Sequence, residues 1–120
     1  MKKILIVEND YSNSEVLKWF LKNEYDILIV NEGEIAILKA GETQFSAVLM
    51  DINLGGGMNG LETARGIRQL PGYENVPVIA TTAFAMPNEK ERFLEEGCTH
   101  FIAKPIEKIK LLELLREIAV

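Results

Sequence analysis

Five short apolar runs, separated by longer segments with helical periodicity, constrain this chain more than any other feature. The runs are Ile4–Val7, Asp26–Val30, Ala47–Met50, Val78–Ala80 and Phe101–Ala103. Each run has about the length of a strand, and runs that are continuous rather than alternating are typical of strands covered on both faces. Strands that alternate with helices predict a parallel sheet with helices packed on both sides.

The segments between the runs carry helix signals. Ser12 and Glu15 have the spacing of a capping box, and apolar residues at helical spacing follow them. A second helix is predicted over Gly33–Ala40, with Gly41 as its stop. The remaining helices are predicted to begin at Asn59 or Gly60, to span Asn88–Glu96, and to span Ile106–Ala119.

Length and composition exclude several classes of protein. The 120 residues fit one domain, which we place at 1–120, and the formal charge of −5 comes without a basic stripe for nucleic acid. The apolar runs are too short to enter a membrane, and Glu8 ends the first run too early for a secretory signal. Cys98 and His100 are single residues of their kind, which excludes an intramolecular disulfide. We therefore expect a cytoplasmic protein without direct contact to nucleic acid or membrane.

Candidate site residues follow the first, third, fourth and fifth runs. They are Glu8, Asn9 and Asp10 after the first run, Asp51 and Asn53 after the third, Thr81 and Thr82 after the fourth, and Lys104, with Pro105 behind it, after the fifth. Because the carboxyl ends of parallel strands meet at one edge of a sheet, where ligands bind, we expect these residues to converge. The result would be one carboxylate surrounded by acids, a hydroxyl and an ammonium group.

This set of groups suits phosphoryl transfer onto a carboxylate. Asp51 can act as the nucleophile and form an acyl phosphate. The transferred group carries negative charge that needs positioned positive charge, so Lys104 would pair with one phosphoryl oxygen and Thr82 would donate to another. Mg²⁺ or Mn²⁺ fits as a cofactor, because few carboxylates together with water and phosphate are the shell that Mg²⁺ prefers.

Five stretches of the chain, taken together, resemble the receiver domains of two-component response regulators. They are Ile4–Asp10, Leu49–Asn53, Gly60–Glu62, Pro77–Met86 and Gly97–Pro105. Each is weak alone, but their order and spacing form a specific signal that covers essentially the whole chain. The resemblance implies a flavodoxin-like (CheY-like) doubly wound α/β fold, with a five-stranded parallel sheet in the order 2-1-3-4-5 and five helices.

The resemblance also implies a phosphorelay function. A sensor histidine kinase or a histidine phosphotransfer protein would donate a phosphoryl group from a phosphohistidine to Asp51. The implied metal site contains Glu8, Asn9, Asp51 and the backbone carbonyl of Asn53. Such a domain assists only its own phosphorylation and dephosphorylation, so we do not class it as an enzyme.

The same resemblance assigns switch residues. Thr82 is the switch hydroxyl, Phe101 stands at the position of the switch aromatic, and Lys104 is the phosphate-pairing lysine. The Lys104–Pro105 bond is expected to be cis, as X-Pro bonds can be. Phosphorylation would reshape the face made by the fourth helix, fifth strand and fifth helix, and a downstream protein would bind there.

Three features depart from the family pattern. Asn9 stands where a second acid usually binds the metal, which predicts a lower metal affinity unless Glu8 or Asp10 compensates. The loop 54–60 is rich in glycine and one residue longer than usual, which predicts a flexible lip beside the site. Phe101 replaces a common tyrosine and cannot hydrogen-bond through a hydroxyl.

Other functions remain open alternatives. A degenerate receiver would bind partners without phosphorylation; Asn9 favours this hypothesis, and the retained Asp51, Thr82 and Lys104 oppose it. A phosphatase of the haloacid dehalogenase type would need a general acid where Asn53 stands. A flavin-binding flavodoxin would need a phosphate-cradling loop after the first run, which the sequence lacks.

Overall fold

The computed structural model describes residues 1–55, 57–83 and 87–119, apart from the side chain of Pro87. The resemblance stretch Pro77–Met86 and the loop 54–60 therefore each extend over residues outside the described part. The elements in chain order are β1 (Lys2–Val7), α1 (Tyr11–Leu21), β2 (Tyr25–Val30), α2 (Gly33–Glu42), β3 (Ala47–Asp51), α3 (Gly60–Arg68), β4 (Val78–Thr82), α4 (Pro87–Glu95), β5 (His100–Ala103) and α5 (Lys108–Ile118). Within the described ranges, every helix is too short or too polar to cross a bilayer.

The strands form one parallel sheet in the order β2-β1-β3-β4-β5, which confirms the topology that the resemblance implied. Strand β1 pairs with β2 on one side, from Lys2↔Tyr25 onward, and with β3 on the other, from Ile4↔Ala47 onward. The strand order reverses next to β1, so the carboxyl ends of β1 and β3 border the crevice where ligands bind in such sheets.

Two hydrophobic clusters cover the two faces of the sheet. Successive residues of β1 alternate between them, because neighbouring side chains of a strand point to opposite faces: Leu5 and Val7 pack toward α2, α3 and α4, and Ile4 and Ile6 pack toward α1 and α5. All four of these side chains are buried, which explains why the run is apolar without interruption.

The first helix begins earlier than the sequence suggested. Asp10 is the N-cap of α1, and its Oδ1 accepts a hydrogen bond of 2.9 Å from the backbone N–H of Asn13. The predicted capping box of Ser12 and Glu15 is therefore wrong, because Asp10 already supplies the acceptor and Ser12 lies inside the helix.

The next two helices differ in how well their ends were predicted. Helix α2 continues through Gly41 to Glu42, so the predicted stop at Gly41 is wrong by about one residue. The start of α3 is confirmed: Asn59 and Glu62 form a reciprocal capping box, with hydrogen bonds of 2.9 and 3.0 Å.

Gly60 brings the start of α3 directly against the end of β3. A Cβ atom at Gly60 would lie 2.3 Å from the carbonyl oxygen of Asp51, a separation that real side chains do not adopt. The Gly60 N–H also donates to the carbonyl of Ile52 at 3.3 Å. A glycine at this position thus allows the helix to support the backbone that carries Asp51.

Candidate functional site

Asp51 lies at the end of β3 and forms a buried ion-pair cluster with Lys104 and Glu8. The Lys104 ammonium is 3.2 Å from Asp51 Oδ1 and 3.4 Å from Glu8 Oε1, and both carboxylates are less than 5% exposed. Lys104 follows β5, so its side chain reaches past the end of β4 to arrive there. The Lys104–Pro105 peptide bond is cis, the geometry that the resemblance implied. Three of the residues predicted to converge therefore do so.

The carboxylate of Asp51 is fixed on one oxygen. Oδ1 accepts a 3.1 Å hydrogen bond from the backbone N–H of Asn53 in addition to its contact with Lys104. Neither of these contacts engages Oδ2. The group is thus oriented by charge-assisted contacts, which are stronger than neutral hydrogen bonds.

Glu8 is the most strongly perturbed acid of this cluster. Burial, and after it the neighbouring Asp51 carboxylate, raise its pKa from 4.5 to about 7, while Lys104 and Asn13 act in the opposite direction. Its Oε2 atom is buried and has no hydrogen-bond partner among the described residues. A buried acceptor of this kind favours the arrival of a proton or a cation.

The composition of the cluster fits a divalent cation. Across the described ranges, no three His, Cys, Asp or Glu side chains lie close enough together to hold a metal by themselves. Mg²⁺ does not require such a group, because one or two carboxylates, water and phosphate oxygens complete its shell. Asp51 and the unpartnered oxygen of Glu8 are carboxylate groups of the kind that such a shell contains.

Asn9 and Asp10 are both engaged elsewhere. The Asn9 side-chain amide donates a 2.6 Å hydrogen bond to the carbonyl of Leu54, and Asp10 caps α1. Asp10 is exposed at the start of the helix. Its carboxylate therefore serves the helix and does not join the ion-pair cluster of Lys104, Asp51 and Glu8.

The two threonines at the end of β4 have different surroundings. Thr81 is paired in register with Asp51, and its hydroxyl lies 3.5 Å from the carbonyl of Met50. Thr82 is buried and its carbonyl accepts a 2.8 Å hydrogen bond from the backbone N–H of Lys104. Thr82 also borders an open cleft, so its hydroxyl fits a role in binding there. Thr81 fits a role in stabilising the fold.

The cleft beside Thr82 has a volume of about 310 Å³ and lies between the ends of β3 and β4 and helices α3 and α4. Asn53 and Asn59 border it on the loop side, and Glu89 and Arg92 border it on the α4 side. Neither Glu89 nor Arg92 is among the site residues that the sequence predicted. The charged pattern of α4 indicates an exposed surface but not that part of it faces this cleft.

Phe101 is half-buried on β5 and packs against the cluster under α2, α3 and α4. The Lys90 ammonium of α4 lies 4.5 Å from the centroid of its ring, within the range of a cation–π interaction. The sequence carried no signal for this pair, because the two residues lie on different elements.

The glycine-rich loop 54–60 is held at several described points. Leu54 is buried and its carbonyl accepts from Asn9, while the N–H of Met58 donates to Glu34 Oε1 at 3.2 Å. Gly56 lies outside the described residues. The flexible lip stays a prediction, and these contacts restrict where such flexibility can occur.

Comparison with known proteins gives a consistent family. The chain matches the response regulator receiver domain family over residues 4–116. It is 34% identical over 122 residues to the hybrid signal transduction histidine kinase I of Dictyostelium discoideum, a match that covers 95% of this chain but only 7% of the kinase. It is 31% identical over 116 residues to the polar-differentiation response regulator DivK of Brucella anthropi, covering 96% of this chain and 94% of that protein.

A solved structure gives the same fold. The receiver domain of a sensor histidine kinase from Pseudomonas aeruginosa PAO1 superimposes with a TM-score of 0.90 at 30% identity, covering 98% of this chain and 97% of that one. That structure holds a magnesium ion coordinated in its active-site cleft.

Proposed function

The chain belongs to the response regulator receiver domain family, a module of two-component signalling, and we propose that it is a phosphorelay receiver with Asp51 as the phosphoacceptor. The observation that carries this proposal is the buried carboxylate of Asp51, which Lys104 pairs with at 3.2 Å beside a second buried acid, Glu8. The proposed domain extends over residues 1–120.

The proposed reaction is attack by a carboxylate oxygen of Asp51 on the phosphorus of a phosphohistidine. The new P–O bond forms an acyl phosphate, the P–N bond breaks, and the imidazole of the donor leaves. The Lys104 ammonium balances negative charge on the phosphoryl oxygens, and the Thr82 hydroxyl donates a hydrogen bond to one of them. The donor is a sensor histidine kinase or a histidine phosphotransfer protein.

The proposed cofactor is Mg²⁺ or Mn²⁺, which supplies positive charge to the phosphoryl oxygens when bound. Asp51, Glu8 and the backbone carbonyl of Asn53 would hold it, with Asn9 offering only its amide oxygen. Glu8 must lose its proton to act as a ligand, and its raised pKa makes that step dependent on pH. The magnesium ion in the Pseudomonas aeruginosa receiver domain supports this assignment.

The proposed output is a shift between two packings of one surface. The phosphoryl group adds roughly −1.5 to −2 charge at Asp51. Thr82 then moves toward it, Phe101 turns inward, and the face of α4, β5 and α5 changes for a downstream protein partner. The half-buried position of Phe101, between solvent and the core, supports this role.

The experiment is incubation with acetyl phosphate and Mg²⁺, followed by intact mass measurement. The wild-type chain should gain one phosphoryl group, and Asp51→Asn should gain none. Asp26→Asn is the matched control, because Asp26 is an exposed aspartate on β2 away from the site; it should gain the group as the wild type does.

A degenerate receiver is the second candidate, and the engaged amide of Asn9 is the observation that favours it. Such a domain would show no mass gain, and beryllofluoride with Mg²⁺ would leave its NMR spectrum unchanged. A spectrum that changes on addition of beryllofluoride would exclude this second candidate.

A further inference from the structure

The backbone just after Asp51 is held from two sides. The N–H of Asn53 donates to Asp51 Oδ1 at 3.1 Å, and the carbonyl of Leu54 accepts from Asn9 Nδ2 at 2.6 Å. The Leu54 side chain is buried in the core, which restrains the same residue from below. Because the Asn53 carbonyl lies between these two hydrogen-bonded peptide groups, both contacts limit the direction in which it points.

Only a hydrogen-bond donor can make the contact that Asn9 makes. A carboxylate has no donor, so an aspartate at position 9 would place its oxygens against the carbonyl oxygen of Leu54. Compared with an aspartate at position 9, the asparagine therefore removes a negative charge from the site. It also adds a hydrogen bond between the β1–α1 loop and the β3–α3 loop.

Gly55 fits this contact in two ways. Its φ of +74° is a backbone conformation that favours glycine. A Cβ atom at Gly55 would lie 3.2 Å from Asn9 Nδ2, which is tighter than ordinary contact. The small residue leaves room for the amide, so Asn9 and Gly55 form a matched pair.

We propose that Asn9 is a positioning residue, whose amide orients the backbone of residues 53–54, and with it the Asn53 carbonyl, before a cation binds. Groups that are ordered in advance need no reorganisation when their ligand arrives. Asn9 lacks the negative charge of an aspartate, and the order that it gives to the loop thus offsets part of that loss. The role toward the metal rests on the proposed function, whereas the loop contact itself does not.

The first test is amide exchange in the metal-free full chain, measured by NMR at residues 53–55. Asn9→Ala and Asn9→Asp each remove the donor, so exchange at these amides should rise by about two- to tenfold, as expected for one hydrogen bond. Asn75→Ala is the matched control, because Asn75 is exposed in the α3–β4 loop. That loop precedes β4, whereas residues 53–55 follow β3, so the two lie at opposite edges of the parallel sheet. The control should change nothing at residues 53–55.

The second test adds Mg²⁺ to the wild type, Asn9→Ala and Asn9→Asp, and measures both Mg²⁺ affinity and amide exchange. Wild-type exchange at residues 53–55 should change little, since the backbone is already held. Asn9→Asp should regain protection as Mg²⁺ binds, because its carboxylate then faces a cation; Asn9→Ala should bind Mg²⁺ more weakly than the wild type. A purely structural contact would not produce this dependence on the cation.

Wild-type exchange rates in metal-free Asn9→Ala would overturn the proposal, because the amide would not be holding the loop. Raised exchange with an unchanged Mg²⁺ affinity in Asn9→Ala would overturn the role toward the metal. Failure of the wild type to accept a phosphoryl group would refute the proposed function separately, since the metal-free exchange result does not depend on it.

Discussion

Glu8 should make the metal-free protein less stable as pH rises, and Glu8→Gln should remove this effect. Burial and the Asp51 carboxylate raise the folded-state pKa of Glu8 from its ordinary 4.5 to about 7. Between these values the folded chain binds a proton that the unfolded chain has lost. Stability linked to Glu8 is therefore fully present below 4.5 and is lost as pH rises through about 7.

The size of the effect follows from the separation of the two pKa values. Each unit of difference between the folded and unfolded pKa is worth about 1.36 kcal/mol, so Glu8 accounts for up to roughly 3 kcal/mol of unfolding free energy. A glutamine resembles the neutral acid and does not ionise. Glu8→Gln and the wild type should thus have similar stability near pH 5, and the variant should be more stable by up to that amount at about pH 8.

The measurement is urea unfolding, followed by circular dichroism in the presence of a chelator, at several pH values between about 5 and 8. Glu74→Gln, at an exposed position between α3 and β4, is the matched control and should follow the wild-type curve. Parallel curves for the wild type and Glu8→Gln would refute the reasoning. Added Mg²⁺ should reduce the wild-type loss at high pH, because a cation that binds only the folded state stabilises it.

A glycine substitution and the chemical labelling of Cys98 test other parts of the fold. Gly60→Ala places a Cβ atom 2.3 Å from the Asp51 carbonyl, so we expect about 1–3 kcal/mol of destabilisation in urea unfolding. Gly41→Ala, which meets open space inside α2, is the control and should be neutral or slightly stabilising; equal effects would contradict the packing argument. Cys98 is buried, and burial raises its thiol pKa to about 11, so a disulfide reagent at about pH 8 should label it only after urea is added. Rapid labelling of the folded chain would contradict that burial.

The strands could be predicted because their signal is local. The run Ile4–Val7 is buried on both faces of the sheet, and this burial alone requires an apolar sequence. Helix starts depended on competition between nearby polar residues. Both Asp10 and Ser12 can cap a helix, and the structure selects Asp10, whereas the start of α3 was predicted at Asn59 or Gly60 and lies there.

The centre of the candidate site could be predicted from strand ends, because parallel strands bring Glu8, Asp51 and Lys104 to one edge. The contacts that support this site from neighbouring loops and helices could not be predicted. The bond from Asn9 to Leu54 joins positions 45 residues apart, and it depends on how two loops approach each other. The position of Lys90 over the Phe101 ring depends likewise on the docking of α4, which no spacing in the sequence encodes.

The backbone hydrogen bond from Lys104 to Thr82 joins the ends of β4 and β5. Under the proposed function, these two residues contact the same phosphoryl group through their side chains. A pull on one of them is transmitted to the other along a bond of 2.8 Å that involves neither side chain. The two strand ends are therefore coupled through the backbone, and Phe101 on β5 lies three positions before Lys104 in the same coupled segment.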